Sequence, residues 1–174
     1  MNVYFTVHMK TLLLIRHAKS SWADPGQNDI DRPLNERGLK DAPIMAKRLI
    51  ERKVKVDTFI SSPAKRAKKT CELFMQEFGA KPNNIILKEK LYLPHPENFI
   101  KVIQQIDPDA DHVIIVSHNN GITEFANQLT NVRVDEMPTC SVFAIKVKAK
   151  HWAGFEKAEK EFWFFDYPKL AVTK

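Results

Sequence analysis

The chain has 174 residues, of which 44% are apolar and 28% charged, with only 5 glycines. That composition excludes a disordered, collagenous or low-complexity protein. The length suits a single domain, 1–174, whose core needs no disulfide or metal staple. Lys and Arg number 27 against 21 Asp and Glu, a net charge of +6 that favours anionic partners without identifying one. Cys71 and Cys140 cannot build a disulfide framework and lack ligand-like spacing, so they read as reduced, partly buried thiols of a cytoplasmic protein.

Residues 1–9 read as a disordered or non-native extension, with either Met1 or Met9 as the start. The apolar run Leu12–Ile15 is flanked by Lys10 and Arg16, too short to span a bilayer and without a signal-peptide cleavage site. Thr11–Ile15 reads instead as a strand buried on both faces. A polar loop, Ala18–Arg32, follows. Asn35 caps a helix over 36–52, with Leu39, Ile44 (or Met45), Leu49 and Ile50 as its buried stripe and Pro43 as a kink or stop. Val56–Ser61 is the next strand, and Ser62-Pro63 starts a helix that ends at Gly79. Asn84–Leu87 is a short strand. A helix runs from 94–97 to Ile106, and His112–Ser117 is another buried strand. His118–Gly121 turns into a helix ending near Thr130. Ser141–Val147 and Glu161–Phe165 are late strands with no helix between them. The expected class is three-layer α/β/α, with a mostly parallel sheet and an antiparallel edge addition.

Sites in open α/β sheets form at the carboxyl ends of strands. Here those ends carry Arg16-His17, Ser61-Ser62-Pro63 with Arg66 one turn on, and Ser117-His118-Asn119. Two arginines and two histidines are expected to converge with two helix N-termini on a pocket sized for a phosphoryl group. The chain has no P-loop, no dinucleotide fingerprint and no cysteine-centred phosphatase loop. No carboxylate cluster has metal-ligand spacing, so a mechanism without metal or cofactor is expected. Each feature has a plainer reading. His17 alone could be a strand-end histidine, and Arg66 in the basic run 65–69 could belong to a solvated helix face. Arg32 could approach the pocket or pair with Asp29 or Asp31. The aromatic run 162–165 reads as core or sheet edge.

Arg16-His17-Ala18, the stretch Ser61-Ser62-Pro63-Ala64-Lys65-Arg66-Ala67-Lys68-Lys69-Thr70 and Val116-Ser117-His118-Asn119 resemble, in order, the motifs of the histidine phosphatase superfamily. Arg32-Pro33-Leu34 through Gly38 is similar to the segment that opens its first helix. The resemblance spans residues 11–147 and is closest to the small bacterial phosphohistidine phosphatases of the SixA type. The chain departs from the phosphoglycerate mutase branch at Ala18, Lys19 and Ala23, where that branch has Gly, Glu and Asn, and it lacks the long acid-bearing insert.

The resemblance implies a phosphoglycerate mutase-like fold and a covalent phosphohistidine on His17. Arg16, Arg66 and His118 would stabilise the transferred oxygens, and Ser62 and Asn119 would add phosphate contacts. Arg16 and Arg66 should lower the pKa of His17. No motif places a general acid, and Glu89, His95 and Glu97 are the candidates in the appropriate segment. Because an acid contributes about 10²–10⁴ in rate for a poor leaving group, its absence favours phosphohistidine or other activated phosphates. The expected partner is a small phosphorylated substrate or a phosphohistidine-bearing protein, met by a monomer without membrane or nucleic acid. A mutase, a phosphomonoesterase, a non-catalytic phospho-ligand binder and a nucleic-acid binder are the alternatives.

Overall fold

The computed structural model describes residues 8–170. Six strands form one sheet: β1 (Met9–Arg16), β2 (Thr58–Ser61), β3 (Ile86–Leu87), β4 (His112–Ser117), β5 (Val142–Lys148) and β6 (Glu159–Asp166). Their order is β3-β2-β4-β1-β5-β6. The first four are mutually parallel, while β5 pairs antiparallel with both β1 and β6. Met9, grouped with the extension in the sequence reading, is instead the first residue of β1, opposite Lys148. His8, also in that extension, is placed with its Nε2 2.8 Å from Asp111 Oδ1, and residues 1–7 lie outside the described part.

Successive side chains of a strand point to opposite faces, so the apolar stretch Leu12–Ile15 of β1 feeds two cores. Leu12 and Leu14 pack with α3 (Pro96–Ile103) and α4 (Gly121–Leu129) through Phe99, Val102, Ile103, Ile122 and Phe125. Leu13 and Ile15 pack with α1 (Glu36–Glu51) and α2 (Lys65–Glu77) through Met45, Leu49, Cys71 and Phe74. Helices on both faces of the sheet make the three layers. β6 closes the free edge, dividing its aromatics between the cores: Phe162 and Phe165 face one, Trp163 and Phe164 the other.

Several local expectations need correction. In α1 the buried face is Gly38, Ala42, Met45, Ala46 and Leu49, while Leu39, Ile44 and Ile50 are exposed. Small residues face inward because α1 packs closely against α2 and, at Gly38, against the Lys19 backbone, so bulk is not the guide to burial here. Pro43 lies inside the helix and does not end it. Its missing donor would have served the carbonyl of Leu39, whose residue lies at the solvent side, where water can substitute. Asn35 does cap α1, accepting the Gly38 N–H at 2.9 Å. Ser62 does not cap α2: the helix starts at Lys65, and Ser62 Oγ instead accepts the Ala64 N–H in a local turn. α3 ends at Ile103, short of Ile106, and the chain passes through a turn to Asp107-Pro108.

The register aligns the strand ends that matter. Arg16 lies opposite Ser117, and Ser61 opposite Val116, so the residues following β1, β2 and β4 emerge at one level. The loop after β1 is pinched at its neck by an antiparallel bridge between Ser20 and Leu34. Ser21 N–H donates to Pro33 O at 2.8 Å, and Asn35 N–H to Lys19 O at 3.0 Å. Residues 21–32 therefore form an anchored strap over the strand ends, including a 3-10 turn at Asp29–Asp31.

Candidate active site

His17 follows the last residue of β1 and is nearly buried. Its Nδ1 donates to its neighbour's carbonyl, Ala18 O, at 2.8 Å. That bond fixes the tautomer and leaves Nε2 with its lone pair. Arg66, the second residue of α2 and 2% exposed, donates from Nε to His17 Nε2 at 3.3 Å. Burial foremost, with the charges of Arg66, Arg16 and Arg32, pushes the His17 pKa down to about 3, against the opposing effect of the Ala18 carbonyl. The two arginines named from sequence act in the expected direction, but burial contributes more.

His118, just past β4, stands with its ring centroid 5.0 Å from that of His17. Its Nε2 is 2.7 Å from Ser62 Oγ. Ser62 Oγ already accepts the Ala64 N–H, so its own proton is free to donate to His118. In that polarity His118 carries its ring proton on Nδ1, which is buried and has no hydrogen-bond partner among the described residues. Burial, then the charge His17 would carry if protonated and the charge of Arg66, lower the His118 pKa to about 2. Arg16 Nε is likewise buried without a partner, while Arg16 Nη1 donates to Met137 O at 2.7 Å and to Glu136 at 3.0 Å. Two residues that line one pocket thus each hold a buried nitrogen able to donate that no group among the described residues satisfies. Such orphans are rare in a folded interior and mark a place built for an acceptor.

The pocket is a cleft of about 240 Å³, with Arg16, His17, Arg66, His118, Asn119 and Arg32 in its wall. The four residues singled out at the strand ends are therefore brought together. Ser62 and Asn119 differ from expectation. Ser62 is fully buried behind His118 and does not line the cleft. Asn119 lines it, but its side chain is committed, donating to Glu136 at 3.0 Å and accepting from Thr123 at 2.7 Å. Glu89, His95 and Glu97 are absent from the lining. His95 is occupied as the N-terminal cap of α3.

The carboxylate in this cleft is Asp29, which the sequence reading treated only as a partner for Arg32. Arg66 donates to its main-chain O and to Oδ2, Arg32 Nε to Oδ1 at 3.0 Å, and Tyr92 Oη to Oδ2 at 2.8 Å. Burial alone would raise the Asp29 pKa, but the hydrogen bonds from Tyr92, Arg66 and Arg32, with the Arg66 charge, bring it down to about 2. Arg32 both approaches the pocket and pairs with Asp29. The available sequence signal was the spacing Asp29-x-x-Arg32 inside a loop leaving the first site strand. Chemically, this arrangement offers an unprotonated imidazole, a guanidinium fork and further N–H donors around a space sized for a tetrahedral oxyanion.

Known proteins share this arrangement's sequence and fold. The histidine phosphatase superfamily (branch 1) model matches residues 12–91. An uncharacterised protein of Mycobacterium tuberculosis is 29% identical over 152 residues, covering 82% of this chain and 92% of its own. The crystal structure described as the putative phosphohistidine phosphatase SixA from Agrobacterium tumefaciens superposes with a TM-score of 0.75 at 24% identity, covering 91% of this chain and 98% of that one. A structure of the protein histidine phosphatase SixA complexed with tungstate gives 0.77 at 18% identity, over 91% of this chain and 97% of that one. With its motifs in order along a sheet of that topology, the chain matches the histidine phosphatase superfamily (branch 1) model over residues 12–91 and has the fold of these structures.

Proposed function

We propose that the chain is a phosphatase that hydrolyses phosphohistidine or small activated phosphates through a covalent intermediate on His17, without a metal or cofactor. The observation that supports this most is the tautomer. Nδ1–H is tied to Ala18 O, so Nε2 keeps a lone pair beside Arg66, and its low pKa keeps it unprotonated at neutral pH. In the first step His17 Nε2 bonds to phosphorus and the bond to the leaving nitrogen breaks. A phosphoimidazole protonated on its other nitrogen departs as neutral imidazole and needs no acid from the enzyme. In the second step water attacks phosphorus, the electron pair of the P–Nε2 bond returns to His17, and phosphate and a proton leave.

Arg66, Arg16 and His118 Nδ1 would hold the equatorial oxygens, and Ser62 would orient His118 rather than touch phosphate. The reading includes a cytoplasmic monomer acting on a small substrate or a phosphohistidine-bearing protein. No helix among the described residues is long and apolar enough to cross a membrane.

Radiolabelled phosphoramidate or a phosphohistidine peptide, quenched in alkali, tests the reading. A base-stable, acid-labile adduct on His17 that disappears in His17→Ala is expected. Undiminished hydrolysis by His17→Ala would overturn it, as would a kcat/KM for a sugar phosphate far above that for the phosphohistidine peptide.

A further inference from the structure

Above the phosphoryl cradle, the cleft changes character. Among the described large apolar residues, Trp22 at 72% and Leu93 at 56% are the two most exposed, and both line this cleft with His17, Arg66 and His118. They come from different segments, Trp22 from the strap after β1 and Leu93 from the turn before α3. Single exposed apolar residues are ordinary, but two of them bordering one polar cavity suit a ligand with an apolar part.

Both are held in place. Trp22 stacks on Arg32, whose guanidinium carbon is 3.6 Å from the ring centroid. Arg32 is itself fixed by Asp29 and by Ser20 Oγ at 2.9 Å. One face of the indole is therefore backed by a cation. Leu93 has φ of 44°, a left-handed conformation that leucine seldom adopts. Its surroundings impose it: Leu91 is buried with its carbonyl bonded by Ser117 Oγ at 2.7 Å, and Pro94 packs on Gly121. Backbone held in such a region points to function. Of the polar groups alongside, Asn119 is committed to Glu136 and Thr123, and the Thr139 hydroxyl accepts from Arg37, while Lys19 also lines the cleft. The small cleft has room for little beyond a phosphoryl group and one ring.

We propose that Trp22 and Leu93 are the specificity residues of this site and receive a flat ring bonded directly to the transferred phosphorus, such as imidazole or an aryl group. The proposal rests on the function given above and adds the residues that read the leaving group.

Binding of phenylphosphonate and methylphosphonate, which share a head group and cannot be hydrolysed, tests it by calorimetry. The native protein should bind phenylphosphonate about tenfold more tightly. Trp22→Ala and Leu93→Ser should each reduce that ratio to about two or less while methylphosphonate affinity stays within about twofold, and Trp22→Phe should retain most of the preference. Equal affinity of the native protein for both ligands would overturn the proposal. So would a parallel loss for both ligands in Trp22→Ala, which would mean that Trp22 serves only to brace Arg32. Neither measurement requires turnover, so an absent His17 adduct alongside a ring preference would remove the proposed reaction and leave the rim. An adduct without a ring preference would do the reverse.

Discussion

Asp29 closes the guanidinium fork of Arg66: Nη1 donates to its main-chain oxygen at 2.6 Å and Nη2 to its carboxylate at 2.9 Å. A carboxylate and a phosphoryl group compete for the same planar pair of donors. Substrate must therefore displace Asp29 from Arg66 or share the arginine with it. Replacing Asp29 by Ala keeps the main-chain acceptor of Nη1 but should free Arg66 Nη2 and the edge of Arg32 that faces the carboxylate, strengthening inhibition by inorganic phosphate or vanadate by about three- to tenfold. An inhibition constant unchanged or weakened in D29A would show that Asp29 instead holds the arginines in their binding posture.

The two site histidines make stability depend on pH in a defined window. Both have folded pKa values far below their ordinary 6.5, about 3 for His17 and about 2 for His118. The unfolded chain therefore binds more protons, and stability rises with pH up to about 6.5 and is lost as pH falls through it. Each histidine contributes about 1.4 kcal/mol per pH unit below that point. Asp29 and Asp111, both held near 2, add their own loss only below the ordinary aspartate value of 3.8. Urea denaturation between pH 7 and pH 4.5 should show falling stability, with a shallower slope in His118→Gln. Activity should not show an acid limb at pH 6.5 arising from His17.

Ser62 is a positioning residue, its hydroxyl 2.7 Å from His118 Nε2 and outside the cleft. Ser62→Ala leaves a buried imidazole nitrogen unpaired, a loss of about 1–3 kcal/mol in stability. If it orients His118, kcat should fall about tenfold or more with KM little changed, and Ser62→Thr should recover part of the loss. Steady-state kinetics on a phosphohistidine peptide separate these parameters.

Gly121 opens α4 directly beneath the turn that carries Leu93. A Cβ there would overlap the Pro94 carbonyl, which is backbone and cannot step aside. Gly121→Ala should cost about 3 kcal/mol or more and displace the rim of the cleft. Gly154→Ala, with open space around its new methyl, should leave the melting temperature within about 2 °C and serves as the control.

What could be read from the sequence followed from local pattern. Continuous apolar runs specified strands buried on both faces, and their alternation with helices specified the layered sheet. Because side chains leaving the carboxyl ends of neighbouring parallel strands emerge at one level, Arg16-His17, Arg66 and His118 could be named without coordinates. Local pattern failed where a neighbour from elsewhere in the chain decides the outcome. Leu39 and Ile44 look like core but are exposed, because the close packing of α1 on α2 favours small residues on its buried face. Ser62 looks like a helix cap, yet faces a histidine 56 positions away. Asp29 and Trp22 lie in a polar loop with no periodicity, and their roles arise from Arg66 and Arg32, which the pinched neck of the strap brings against them. Apolar burial and hydrogen bonding along the chain are set within a few residues, whereas the pairing of charges across loops depends on which segments folding brings together, and that was decided only in three dimensions.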